Sequence, residues 1–269
     1  MKLSNLKMRK IKITDYISDF DKILPVIELY PCLQGEGSRR GTLSFAIRTT
    51  GCTHRCYFQG DYWCDSWYSS IHAEKGKFSF NDILNMIEKY PNIKEIMLTG
   101  GAPTMHPDIL CALSILAYEK DLKITLETEG SHFVKTPYPL YLISLSPKFS
   151  NTIPIIGQKT PKGKIVDSAF ISQHNKYRLN YDAIKQMLNF HQDYQIKPVF
   201  DGKKETLDEI IKFIEQLNIP RDKVYLMPQG QTRDVLISNY AITLDTCLKE
   251  GFSFTGRDHI IAFDDKRYV

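Results

Sequence analysis

The regular alternation of apolar strand-like runs with amphipathic helical stretches is what most constrains this chain. Residues 42–49 are apolar and β-branched, 95–98 form a short buried-strand run, and 123–126, 141–145, 196–200 and 223–227 repeat the pattern downstream. Between these runs stand helix signals. Ser79 and Asp82 make a capping-box signature ahead of Ile83, Leu84, Met86 and Ile87. Pro107 opens the next helix before Ile109, Leu110, Leu113 and Leu116. The spacing predicts further helices over 181–191 and 233–249, and Thr206 with Glu209 reads as a cap for a helix carrying Ile210, Phe213, Ile214 and Leu217 on one face. Residues 259–263 read as a last strand-like run. Repeated β-then-α units give an α/β fold, a parallel sheet with helices outside, and six or so units fit a partial barrel better than a closed eight-stranded one. Residues 149–180, rich in Pro, Gly, Lys, Ser and Asn, read as an irregular insertion inside a single domain over 1–269.

Composition narrows the class. A chain of 269 residues with 42% hydrophobic and 25% charged side chains can bury a full core. No apolar run approaches the ~20 residues that span a bilayer, so no membrane partner is expected. Six cysteines are too few for a disulfide scaffold, and no basic start leads into an apolar stretch, which points to a cytoplasmic chain with reduced thiols. The net charge of +4 is mild and its lysines and arginines are dispersed, so composition gives no reason to expect nucleic acid.

Sites on such sheets lie at the carboxyl ends of the strands, and the motifs fall there. Directly after 42–49 come Cys52, Cys56 and Cys64. Structural zinc takes four protein ligands, whereas a 4Fe-4S cluster on three cysteines keeps one iron open for chemistry. A zinc site completed by His54 or an outlying cysteine, in a binding module without catalysis, is the alternative. Cys32, Cys111 and Cys247 read as buried small hydrophobes. Later strand ends carry Thr99-Gly100-Gly101-Ala102, Glu127-Thr128-Glu129-Gly130-Ser131, Ser146-Pro147-Lys148 and Met227-Pro228-Gln229-Gly230. Upstream, Gln34-Gly35-Glu36-Gly37 fits either a binding loop or a solvated hairpin.

Taken in order, Gln34-Gly35-Glu36-Gly37, Arg48, Gly51-Cys52, Trp63-Cys64-Asp65-Ser66, Thr99-Gly100-Gly101, Ser146-Pro147-Lys148 and the short C-terminal tail resemble radical S-adenosylmethionine (SAM) enzymes. Within that superfamily they are similar to the 7-carboxy-7-deazaguanine synthases, over most of residues 25–269. The resemblance implies a partial (β/α)6 radical SAM barrel with a 4Fe-4S cluster on Cys52, Cys56 and Cys64. It implies SAM beside Trp63, Cys64, Asp65 and Gly101, beside Ser146, Pro147 and Lys148, and beside Met227, Pro228 and Gln229. The pterin substrate would meet Leu33, Gln34, Gly35, Arg48, Thr99 and the terminal carboxylate at Val269, and Ser66 would offer its hydroxyl to Mg2+. No side chain is assigned a catalytic role. The implied reaction takes 6-carboxy-5,6,7,8-tetrahydropterin to 7-carboxy-7-deazaguanine with loss of ammonia, started by one-electron cleavage of SAM. An electron donor such as flavodoxin or ferredoxin and a homodimer are implied too. Residue chemistry suits these roles: the Gln34 amide for ring edges, the Arg48 guanidinium for a carboxylate, Trp63 for the adenine and Ser146 for the ribose. A glycyl-radical activase is the alternative within the superfamily.

Three departures from the pattern stand out. The cysteine spacing is C-x3-C-x7-C where C-x3-C-x2-C is usual, the Gly-Gly-Glu motif reads Gly100-Gly101-Ala102, and Ser66 replaces a threonine. A longer arm still delivers its thiolate, since closure entropy grows only logarithmically with length. Ala102→Glu is expected to be tolerated. Anaerobically purified Cys52→Ala, Cys56→Ala and Cys64→Ala proteins should each lose iron and visible absorbance, whereas Cys32→Ala, Cys111→Ala and Cys247→Ala should keep both; equal loss from Cys111→Ala would refute this ligand set.

Overall fold

The computed structural model describes residues 11–58 and 62–269. In chain order the strands are β1 (Val26–Leu33), β2 (Leu43–Thr49), the short pair β3 (Tyr57–Phe58) and β4 (Tyr62–Trp63), β5 (Glu95–Gly100), β6 (Lys123–Thr128), β7 (Leu142–Leu145), β8 (Tyr194–Ile196), β9 (Val199–Phe200), β10 (Tyr225–Pro228) and β11 (Ser253–Phe254). The helices are α1 (Phe80–Lys89), α2 (Pro107–Lys120), α3 (Ser168–Tyr177), α4 (Tyr181–Phe190), α5 (Lys204–Gln216), α6 (Arg233–Ser238), α7 (Tyr240–Glu250) and α8 (Asp258–Phe263). The main sheet has the order β1-β2-β5-β6-β7-β8, parallel throughout except for β1 against β2. A second parallel sheet, β11-β10-β9, follows it through a parallel bridge between Ile196 and Val224. β1 and β11 stand at opposite ends of this series, so the barrel is open, as the count of βα units implies.

Local chemistry explains most elements. Ser79 caps α1: its hydroxyl accepts from the Asp82 N–H at 3.2 Å, and the Asp82 carboxylate accepts from the Ser79 N–H at 2.7 Å. Pro107 stands in the first turn of α2, whose residues from Ile109 to Ala117 are buried on all sides. One continuous core between sheet and helices gathers Phe45, Phe80, Phe149, Phe200 and Phe213.

Several expectations need correction. The helix after β9 begins at Lys204, not at a Thr206 cap; Thr206 is buried and Glu209 instead accepts from the Ser150 N–H at 2.8 Å. The predicted helix over 233–249 is two, broken at Asn239, whose side chain donates to the Gln229 carbonyl. Residues 259–263 belong to α8, a helix rather than a strand, because only Ile260 of its apolar group is buried and the rest face outward. The 196–200 run splits at Lys197 and Pro198, where proline supplies no N–H for a ladder. The 149–180 insertion is ordered in part: it holds α3 and a hairpin closed by the Lys159–Ile165 bridge. Gln34-Gly35-Glu36-Gly37 is the loop of the β1-β2 hairpin, yet it folds inward, with Gln34 buried and the Gly37 N–H donating to Thr255.

The end of β5 fixes the cysteine loop. Gly51 donates to the Ser69 carbonyl at 2.7 Å and accepts from Ala102 at 2.8 Å, so the loop lies directly on the Gly100-Gly101 turn. A β-carbon at Gly101 would stand 2.1 Å from the Gly51 oxygen and 2.5 Å from the Ser69 oxygen, both backbone atoms that cannot swing aside. Gly101→Ala should therefore lower stability by about 1–3 kcal/mol in denaturant melts and reduce iron content; wild-type values for both would show that the loop is not seated as described.

Candidate active site at the open rim

The long cysteine arm is closed by a β-ribbon. Tyr57 pairs with Trp63 and Phe58 with Tyr62, and the Cys64 N–H donates to the Cys56 carbonyl at 3.1 Å. Seven intervening residues thus return the chain to the same place that two would. Cys52, Cys56 and Cys64 all border one cavity of about 550 Å³, within the roughly 300–1,000 Å³ of small-molecule sites. Burial is the main force raising all three thiols above their usual range, Cys56 to about 11; Glu129 then raises Cys52 and Asp65 raises Cys64, while Lys148 partly opposes burial at Cys56. Cys52 also feels the charge of Cys56 and Cys64, and Cys64 that of Cys56, so the three lie close together. Such a set ionises only on a cationic centre, which fits an iron–sulfur cluster.

Of the other expected site residues, Leu33, Gln34, Gly35, Arg48, Asp65, Ser66, Thr99, Gly101, Ser146, Lys148, Met227, Pro228, Gln229 and Val269 border the same cavity. Trp63 and Pro147 do not. The Trp63 ring packs edge-on against Tyr57 and Phe170 and donates to the Lys159 carbonyl at 2.9 Å. Gln34 sits at the rim, where its amide nitrogen donates to Ser44 at 2.9 Å and Glu95 at 3.2 Å. Lys148 donates to the Ser146 hydroxyl at 2.7 Å. Ala102 is 0% exposed, next to Gly101, which borders the cavity.

The opposite wall is a lattice of charges, of which sequence reasoning named Arg48, Asp65 and Ser66 but missed Glu28, Lys197, Arg257 and Arg267. Lys197, buried after β8, holds Glu36 and Glu127, each at 2.7 Å. Arg257 joins Glu36, at 2.8 Å, to Asp65. Arg48 donates to Glu28 at 2.6 Å and to the Ser66 hydroxyl at 3.2 Å, and Ser66 in turn donates to Asp65. Arg267 reaches the same Glu28 at 2.8 Å and lies 3.5 Å over the Tyr68 ring. His259 stands 3.8 Å from Glu36. Glu36, Arg48, Asp65, Ser66 and Glu127 lie in motifs visible in the sequence, but Glu28, Lys197, Arg257, His259 and Arg267 do not; their one available signal was that Glu28 and Lys197 interrupt apolar strand runs.

Burial would raise the Glu36 carboxyl, but Lys197, Arg257 and His259 outweigh it and hold it well below the usual range. A depressed carboxyl stabilises the fold above its unfolded pKa and loses that contribution as pH falls. Lys197 is shifted up, its two carboxylates outweighing burial, so its contribution is complete at neutral pH. Lys197→Met should thus cost about 3–5 kcal/mol at pH 7, by leaving Glu127 unpaired and Glu36 on Arg257 alone, and the gap to wild type should narrow as pH drops below the carboxylate range. A gap independent of pH in urea melts would contradict the pairing.

The profile of the radical SAM superfamily matches residues 46–137, from β2 through the cysteine loop to the strand end at Glu127 and beyond. The chain is 30% identical over 247 residues to a 7-carboxy-7-deazaguanine synthase of Halobacterium salinarum, spanning 90% of this chain and 91% of that protein. It is 31% identical over 244 residues to the synthase of Rhodopirellula baltica, spanning 91% and 88%. The crystal structure of QueE from Escherichia coli superposes with a TM-score of 0.54 at 20% identity, covering 86% of this chain and 92% of that one, which supports the fold. With the cysteine loop, the strand-end motifs and this extent of similarity in agreement, the chain belongs to the radical SAM superfamily and, within it, to the 7-carboxy-7-deazaguanine synthase family.

Proposed function

We propose that this protein, as one radical SAM domain, converts 6-carboxy-5,6,7,8-tetrahydropterin to 7-carboxy-7-deazaguanine with release of ammonia, in 7-deazapurine (queuosine-type) biosynthesis. The observation that carries the reading is the meeting, in one cavity, of three neighbouring thiols and a wall of fixed positive and negative groups. Cys52, Cys56 and Cys64 would hold a 4Fe-4S cluster, which together with SAM supplies one-electron reductive chemistry when bound.

The chain's own residues would bind and orient. Arg48 presents a planar guanidinium suited to the substrate carboxylate, and its prior contact with Glu28 keeps it aimed across the cavity. Glu36, held ionised by Lys197 and Arg257, and Glu127, paired with Lys197, are acceptors for ring N–H and exocyclic amine groups. Val269 borders the same space, so the terminal carboxylate is a further acceptor there. Ser146 and Lys148 at the end of β7 and Met227, Pro228 and Gln229 at the end of β10 are the polar and apolar contacts for SAM. Ser66 would offer its hydroxyl to Mg2+, a hard cation held otherwise by water and substrate oxygens. A flavodoxin or ferredoxin as electron donor, a homodimer and a cytoplasmic setting complete the proposal. No helix among the described residues is long and apolar enough to cross a membrane.

Anaerobic turnover of the iron-loaded protein tests the reading. SAM-dependent formation of 7-carboxy-7-deazaguanine is expected with carboxytetrahydropterin, and Ser66→Ala should raise the Mg2+ requirement while iron content stays the same. Protein that cleaves SAM but leaves the pterin untouched and instead modifies a partner polypeptide would favour the activase alternative.

A further inference from the structure

The insertion after β7 lays a hairpin over the cysteine loop. Its backbone is closed by Gly157 donating to Val166, Val166 to Gln158, Thr160 to Lys164 and Gly163 to Thr160, all between 2.8 and 2.9 Å. Two contacts anchor it beside the thiols. The Lys159 carbonyl accepts from the Trp63 indole, one residue from Cys64, and Thr160 bonds the His72 ring at 2.9 Å. Trp63 also packs on Phe170 of α3, so hairpin, helix and the ribbon that carries Cys64 are in contact with one another.

The outer side of this hairpin is unlike a solvated loop. Ile155, Ile156 and Ile165 are 59%, 66% and 49% exposed, and Lys159, Lys162 and Lys164 stand exposed among them. The Lys164 ammonium lies 5.7 Å over the Phe170 ring, and among the described residues none of the three lysines forms an ion pair. Their field reaches inward: His72 titrates low through partial burial and then through Lys162 and Lys164. An apolar patch ringed by unpaired positive charge is the form of an interface for an acidic partner, with charge steering the encounter and isoleucines supplying contact area.

We propose that the 157–166 hairpin, with Ile155 and Ile156 at its base, is the docking surface for an acidic one-electron carrier protein that feeds the centre held by Cys52, Cys56 and Cys64. The proposal rests on the function proposed above, since only a redox centre on these thiols needs such a partner. In the step concerned one electron leaves the reduced carrier, which is oxidised by one, and enters the centre, which is reduced by one; no bond or proton is exchanged. The hairpin suits this role by place as well as charge, because it touches the ribbon bearing Cys64 while leaving the mouth of the substrate cavity to other elements.

The test uses the iron-loaded full chain and an acidic flavodoxin as probe. Calorimetric binding to wild type should weaken with added salt, and Lys159→Glu/Lys162→Glu/Lys164→Glu should weaken it by about tenfold or more at low salt. Ile155→Ser/Ile156→Ser should weaken it while preserving the salt slope. SAM cleavage driven by flavodoxin should fall in parallel, whereas cleavage driven by dithionite, which needs no docking, should match wild type in every variant. Should the charge-reversed chain fail to fold, the Lys→Gln triple variant serves, with a smaller loss expected. Wild-type flavodoxin binding and flavodoxin-driven rates in both lysine variants would overturn the proposal. So would a wild type that binds no acidic carrier, or one whose hairpin instead retains anionic vesicles, nucleic acid or a second copy of the chain. Absence of dithionite-driven SAM cleavage by iron-replete wild type would be a different failure, that of the function itself.

Discussion

Matching buried charge is the constraint on which the rest of this structure depends. Glu28 is 1% exposed and Lys197 2%, and each would be intolerable alone, since an unpaired buried charge removes about 3–5 kcal/mol from a net stability of only about 5–15 kcal/mol. Glu28 is answered by Arg48 and Arg267, and Lys197 by Glu36 and Glu127. Satisfying these groups pulls the β1-β2 loop inward, sets Arg257 between Glu36 and Asp65, and draws the C-terminal segment across the cavity mouth. The same contacts that hold the fold therefore line the cavity with oriented donors and acceptors. Stability and binding chemistry share one set of side chains.

The thiol side of the cavity is built on a different principle, close approach of backbone to backbone. Gly101 lets β5 end against Gly51 and Ser69, and the β3-β4 ribbon turns a long arm into a short effective one. A loop fastened at both ends in this way holds three thiols at the cavity wall, where burial opposes their ionisation and Lys148, acting on Cys56 and Cys64, offsets it only in part. What remains is a demand for positive charge from outside the chain, which the cluster of the radical SAM superfamily supplies.

Much of the fold was legible in the sequence, and the reasons are particular. Strands such as β5 and β6 are short apolar runs bounded by Gly and polar residues, and Ser79 with Asp82 announces α1 through an interaction local in sequence. The failures are where tertiary context decides. Thr206 with Glu209 has the form of a cap, yet Glu209 bonds Ser150 across the fold, and the apolar group at 260–263 fits strand or helix until its surroundings place it in α8. The cysteine loop and strand-end motifs were visible because one strand end supplies each of them. The lattice around Lys197 and Glu28 was not, because its members lie up to 239 residues apart and meet only once the barrel curves. Trp63 and Gln34 were assigned to ligands by type, and in the structure the Trp63 indole and the Gln34 amide nitrogen have protein partners.

Whether the three thiols hold a cluster with an open iron is tested most directly by electron paramagnetic resonance of the reduced, iron-loaded protein, recorded with and without SAM. A single cubane signal whose g-values shift on adding SAM, and which is absent from Cys64→Ala, is the expected result. A colourless protein carrying stoichiometric zinc, silent in the spectrum and indifferent to SAM, would contradict it.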